Sequence, residues 1–172
     1  MGNSVTRVAA LLLCLWGVQA QAAPDNGFGI YLGAISSRDS ALYGNSHGGF
    51  VQADVQFMVN ERWSLNPYLL LGSESTDTPF DIETGEGGLQ ARYWMGSVFL
   101  GGQFLFHDTL FKRGGTVGSS VYGPGLGLGA GWESDSHWSI SLAANAYRLV
   151  GAYGHAGTTR SEAMLLIGYH WY

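Results

Sequence analysis

The segment GFVQADVQFMV, Gly49 to Val59, alternates with period two along its whole length. Val51, Ala53, Val55, Phe57 and Val59 share one face, while Gln52, Asp54 and Gln56 lie on the other, between Phe50 and Met58. That period belongs to an extended strand, whose successive side chains point to opposite sides, and it does not fit the 3.6-residue repeat of a helix. A chain built from such segments must supply an apolar surrounding for one face and a polar one for the other.

The alternation recurs. GFGIYLGAI sets Phe28, Ile30, Leu32 and Ala34 against Gly29, Tyr31, Gly33 and Ile35. HWSISLAANAY sets Trp138, Ile140, Leu142, Ala144 and Ala146 against Ser139, Ser141, Ala143, Asn145 and Tyr147. In VYGPGLGLGAGW, Tyr122, Pro124, Leu126, Leu128, Ala130 and Trp132 alternate with Gly123, Gly125, Gly127, Gly129 and Gly131. Glycine weakens a strand unless space is needed, so this glycine face predicts a crowded interior filled from facing strands. Tyr31, Tyr68, Arg92 and Tyr147 are the expected fillers.

Turn signals divide the chain into strands over Phe28 to Ile35, Gly49 to Val59, Leu65 to Gly72, Leu89 to Trp94, Val98 to His107, Val121 to Trp132, Trp138 to Leu149 and Ser161 to Tyr172. Eight is an even number, as an up-and-down antiparallel barrel requires. The breaks Asn60 to Arg62 and Glu133 to His137 are short, whereas Ser36 to Gly48, Ser73 to Gly88, Thr109 to Ser120 and Gly151 to Thr159 are long. LQARYWMGSVFLGGQFLF has no polar turn, and a tight one is expected near Met95 to Ser97 because the long loops need a return there. The fold class is therefore all-β.

Met1 to Ala22 reads as a secretory signal peptide, with Arg7, the apolar run VAALLLCLWGV and the small-residue site Ala20-Gln21-Ala22. Residues 23–172 then form one barrel domain. The apolar run is shorter than the roughly 20 residues that a membrane-spanning helix needs. Cys14, the only cysteine, leaves with the signal, and Leu13 before it argues against lipidation. The mature chain is thus expected to hold no disulfide, thiolate metal site or cysteine nucleophile. Loss of Arg7 moves the formal charge from −5 to −6, and an acidic chain without a basic run argues against a nucleic-acid partner.

Charged residues make up only 12% of the chain, about half the usual share of a soluble domain, so the apolar faces are expected to point outward into lipid. A soluble barrel of this pattern would turn the apolar faces inward and carry many charges outside. In a bilayer only closure satisfies every backbone N–H and C=O, which makes the expected form a closed transmembrane barrel. Trp63, Trp132, Trp138 and Trp171, next to the short turns, predict an aromatic girdle at one interface. Asp54, Arg92 and Glu162 fall on the polar face, where Arg92 is expected to form an interior ion pair with Asp54 or Glu162.

The signal peptide, the eight alternating segments, the unequal loops and the aromatic last strand SEAMLLIGYHWY together resemble the small outer-membrane barrels of the OmpA-like and OmpX/Ail-like type. The resemblance implies an outer-membrane location, contact with lipid and lipopolysaccharide, and recognition of the aromatic C-terminal strand by the outer-membrane assembly machinery. It also implies a monomeric, non-enzymatic protein that acts in adhesion, surface interaction or envelope integrity through its loops. Two alternatives stay open: a lipid A-modifying acyl hydrolase, and a narrow channel for small or apolar molecules.

The lipid A 3-O-deacylases, similar in size and fold, carry a His-x-Ser motif with a later Glu, since a serine needs a base and the base an orienting carboxylate. Here the only His-x-Ser is His137-Trp138-Ser139 at a short turn, and Arg148 and Val150 stand where spacing from Glu162 would want His and Ser. No catalytic, cofactor or metal residue is assigned on this reading. His107-Asp108 reads as a solvated pair, and Glu74, Asp77, Asp81, Glu83 and Glu86 read as a solvated acidic loop. An extracellular ligand, if there is one, is expected at the loops, near Lys112, Arg113 and Arg160 or at this acidic run.

Overall fold

The computed structural model describes residues 25–39, 44–78, 81–113, 116–151 and 158–172. The expected signal peptide, the tips of all four long loops and His155 lie outside the described residues. The strands are β1 (Gly27–Asp39), β2 (Asn45–Asn60), β3 (Trp63–Thr76), β4 (Asp81–Met95), β5 (Val98–Arg113), β6 (Thr116–Glu133), β7 (Trp138–Gly151) and β8 (Thr158–Trp171). Each pairs antiparallel with the next, and β1 pairs with β8, so the sheet closes into an eight-stranded meander barrel.

The register sets the barrel's shape. Hydrogen-bonded partners lead from Gly29 through Asp54, Tyr68, Gly88, Leu105, Gly125, Tyr147 and Arg160 back to Asp39. The circuit returns ten residues further along β1, a shear that tilts eight strands by about 40°. Gly96 and Ser97 make the tight turn between β4 and β5, and Gly96 supplies its positive φ of 70°.

The faces point as the alternation requires. Leu32, Leu69, Leu71, Leu126, Leu128 and Leu142 stand on the outside, with Leu128 73% exposed. Tyr31, Tyr68, Arg92 and Tyr147 are buried inside. The β6 glycines make room for them: a Cβ at Gly125 would sit 2.5 Å from the Tyr147 ring, and one at Gly131 2.5 Å from Phe99. Trp63, Trp132, Trp138 and Trp171 are exposed at the short-turn end, and Trp171 stacks on Phe28 at 6.1 Å.

The long loops differ from expectation. Most of Ser36 to Gly48, Ser73 to Gly88 and Thr109 to Ser120 is strand, so the ladder continues well past the apolar segments. On these extensions most outward positions turn polar: Ser36 and Arg38, His47, Ser73 and Ser75, Glu83 and Asp81, Asp108, Arg148, Ser161 and Thr159, with Val150 an apolar exception. With polar residues on both faces, a strand loses the hydrophobic alternation that reveals it in sequence. The switch bounds an apolar belt on the outside, the kind of band that a barrel presents to lipid.

The belt generates a direct test. Leu128→Arg, near the middle of the apolar belt, is expected to destabilise the barrel by about 2–4 kcal/mol. Leu128→Ala is expected to cost much less. Urea titration of barrels folded into phospholipid vesicles measures both.

Candidate functional site

Period two forces every second side chain into a lumen too narrow for bulk water, so the polar face of each strand must find partners there. Most of the described residues do so, in two networks joined by a ladder.

The first lies at the short-turn end. Arg92 Nη2 donates to Asp54 Oδ2 at 2.7 Å, the expected interior ion pair, and Arg92 Nε donates to Gln90 Oε1 at 2.6 Å. His170 sets Nδ1 2.7 Å from Glu133 Oε2 and Nε2 3.3 Å from Asp54 Oδ1, while the Tyr31 hydroxyl lies 2.6 Å from Nε2. Asn66 Nδ2 donates to Gln56 Oε1 at 3.1 Å, and Trp94 Nε1 to Ser64 Oγ at 3.0 Å. Two carboxylates here face one guanidinium and one imidazole held between them.

The ladder crosses the middle of the barrel. Gln90 Nε2 donates to Gln103 Oε1 at 3.2 Å, Gln103 Nε2 to Asn145 Oδ1 at 2.5 Å, and Asn145 Nδ2 to the Tyr147 hydroxyl at 2.8 Å. All three amides point the same way, with Arg92 at the positive end and carboxylates at the negative end. Aligned hydrogen bonds of this kind polarise and strengthen one another.

The second network lies towards the long-loop end. Glu74 Oε2 accepts from Ser37 at 2.5 Å and from Ser46 at 2.8 Å, Glu74 Oε1 accepts from Thr84 at 2.8 Å, and Arg160 Nη2 is paired with the same carboxylate. Arg160 Nε donates to Glu162 Oε1 at 2.9 Å. Tyr68 donates to Glu86 Oε1 at 2.6 Å. The Tyr147 hydroxyl lies 2.6 Å from Glu86 Oε2 and 2.5 Å from Glu162 Oε2. His107, fully buried, places Nε2 2.6 Å from Thr109 Oγ1, and its Nδ1 has no hydrogen-bond partner.

One expectation is met in its first alternative and two others change here. Glu162 takes Arg160 as its partner, and Arg92 keeps to Asp54, because the two acids lie in different networks. His107 is an interior residue and is not solvated: β5 continues past it and alternation turns it inward, with Asp108 outward. Glu74 and Glu86 likewise leave the presumed acidic loop for the lumen, as does Arg160, while Asp77, Asp81 and Glu83 remain exposed. Glu86, His107 and Glu162 bring ligand atoms within 4.8 Å of one another from β4, β5 and β8. Their separation in sequence hides this cluster from any spacing rule.

The residues weighed for acyl hydrolysis do not assemble. Ser139 Oγ is buried without a hydrogen-bond partner, so no imidazole activates it. His137 sits in the turn at a positive φ of 67°, packed on Tyr169 and Tyr172. Glu162 is engaged by Arg160 and Tyr147.

No protein-family model and no curated protein matches the chain. Solved structures do. Ail, the attachment invasion locus protein of Yersinia pestis, is similar with a TM-score of 0.62 at 14% identity, over 86% of this chain and 100% of that one. The Neisserial surface protein A gives 0.62 at 13% identity, over 84% and 97%. The outer membrane protein OprG of Pseudomonas aeruginosa gives 0.53 at 15%, over 90% and 99%. At such identities what is shared is the fold, that of small outer-membrane barrels.

The two kinds of ion pair predict unequal mutational costs. Arg92→Met leaves Asp54 buried without its partner and is expected to destabilise the barrel by about 3–5 kcal/mol. Lys112→Ala removes an exposed pair with Glu83 and is expected to cost less than about 1 kcal/mol. Urea unfolding in detergent or vesicles compares the two.

Proposed function

We propose that this protein is an integral outer-membrane barrel that acts through its protruding rim, in surface attachment or envelope integrity. The observation that carries this reading is the filled lumen. Arg92, Gln90, Gln103, Asn145 and Tyr147 form an unbroken hydrogen-bonded column between the two polar networks. A transport route would have to break that column and leave buried charges unpaired, at a cost of several kcal/mol.

The work then falls to what stands outside the apolar belt. The strand extensions project polar and charged side chains beyond it on a stiff ladder, a good platform for contact because little order is lost on binding. Asp77, Asp81 and Glu83 form an acidic edge beside Lys112 at this rim. Acidic groups there suit the divalent cations that bridge lipopolysaccharide phosphates. Ail, similar in fold, is by its name an attachment and invasion protein.

The purified barrel in planar bilayers is expected to show no ion conductance, and steady single-channel openings would sink this reading in favour of a channel. In outer-membrane fractions it is expected to migrate as a heat-modifiable band, with the extensions accessible to protease from outside intact cells. Recovery as soluble periplasmic material would overturn the location itself.

A further inference from the structure

The two ends of the lumen differ in charge balance. At the short-turn end Asp54 and Glu133 are matched by Arg92 and by His170, whose two ring nitrogens each face a carboxylate. At the long-loop end, among the described residues, Glu74 and Glu162 share the guanidinium of Arg160, and Glu86 lies beside Glu162 with tyrosine hydroxyls as its hydrogen-bond donors. Uncompensated carboxylates in a low-dielectric interior are costly, so this end calls for additional positive charge.

The geometry says where. His107 Nδ1 lies 3.6 Å from Glu86 Oε2 and 3.8 Å from Glu162 Oε1, too far for a hydrogen bond to either, and it has no other partner. The Tyr147 hydroxyl approaches Glu86 Oε2 and Glu162 Oε2 closely, yet one O–H has a single proton and serves only one of them. The unpartnered Nδ1 edge of the imidazole and the carboxylate oxygens thus converge on one point.

From this we infer that Glu86, His107 and Glu162 form a binding site for a divalent first-row transition ion of the Zn²⁺ or Mn²⁺ kind, buried at the long-loop end of the lumen. One imidazole and two carboxylates are borderline-to-hard donors that suit these ions, and Tyr147 stands ready as a further oxygen ligand. The surroundings already have the form that metal ligands take. His107 is oriented through Nε2 by Thr109, Glu86 through Oε1 by Tyr68, and Glu162 through Oε1 by Arg160. The charge of +2 would balance two of the carboxylates and bind β4, β5, β7 and β8 together across the lumen, a structural role that neither adhesion nor transport supplies.

The test uses the untagged mature barrel, folded in detergent, stripped with EDTA and then given ZnCl₂ or CoCl₂ alone. About one equivalent is expected to survive desalting, with visible Co²⁺ absorption lost on adding Zn²⁺. X-ray absorption at the zinc edge is expected to show one imidazole and otherwise oxygen donors. His107→Leu and Glu162→Gln are expected to weaken binding by at least about tenfold, whereas Glu61→Gln, exposed in the short turn between β2 and β3, leaves it unchanged. Heat-modifiable gel mobility reports whether each variant folds, and the wild-type spectra decide the question if one does not. No retained metal, a zinc shell without imidazole, or full binding by folded His107→Leu would each overturn the proposal, the last by assigning the ion to a surface histidine such as His47 or His137.

Discussion

The seam between β1 and β8 is the interaction on which everything else rests. A backbone N–H or C=O exposed to hydrocarbon costs several kcal/mol, so a strand-built membrane protein is stable only when its sheet has no edge. Twelve residue pairs, from Phe28 with Trp171 to Asp39 with Arg160, close it. Closure then fixes the circumference, and circumference with shear fixes a lumen that side chains alone fill.

That narrow lumen explains the polar interior. Because alternation sends every second residue inward, the chain cannot avoid placing Gln, Asn, Tyr, Glu and Arg there without losing its polar face altogether. Most are satisfied by one another, and the aligned run from Arg92 to Tyr147 does this across the middle of the barrel. The glycines of β6 and the large rings opposite are two halves of one packing solution, since Gly125 clears Tyr147 and Gly131 clears Phe99. Buried ion pairs of this sort contribute less to net stability than to holding one arrangement over others, because desolvation offsets most of their attraction.

Much of this was legible along the chain wherever one face met lipid. Val51 to Val59 and Leu126 to Trp132 reveal strand, direction and face together, because apolar and polar surroundings differ sharply across the wall. The tight turn at Gly96 was legible by topology, as the strands must return. The extensions were not: Ser73 to Thr76 is polar on both faces and Asp81 to Glu86 holds one apolar residue, the inward Ile82, so no apolar face marks the period. The site suffered for the same reason. His107, Glu74 and Glu86 looked solvated because their strands looked like loops, and only the count of residues from a neighbouring apolar position shows that they point inward.

By itself, the sequence determined the period, and through it the all-β class, the outward apolar faces, the filled interior and the Trp-rich rim. Those follow from local alternation, which each strand carries within itself. Tertiary structure alone decided which inward residues meet. Arg92 chose Asp54 over Glu162, and Glu86, His107 and Glu162 converged from three strands, because the shear of ten residues sets the height of every side chain relative to strands far away in sequence. Register is a collective property of a closed sheet, and no single segment contains it.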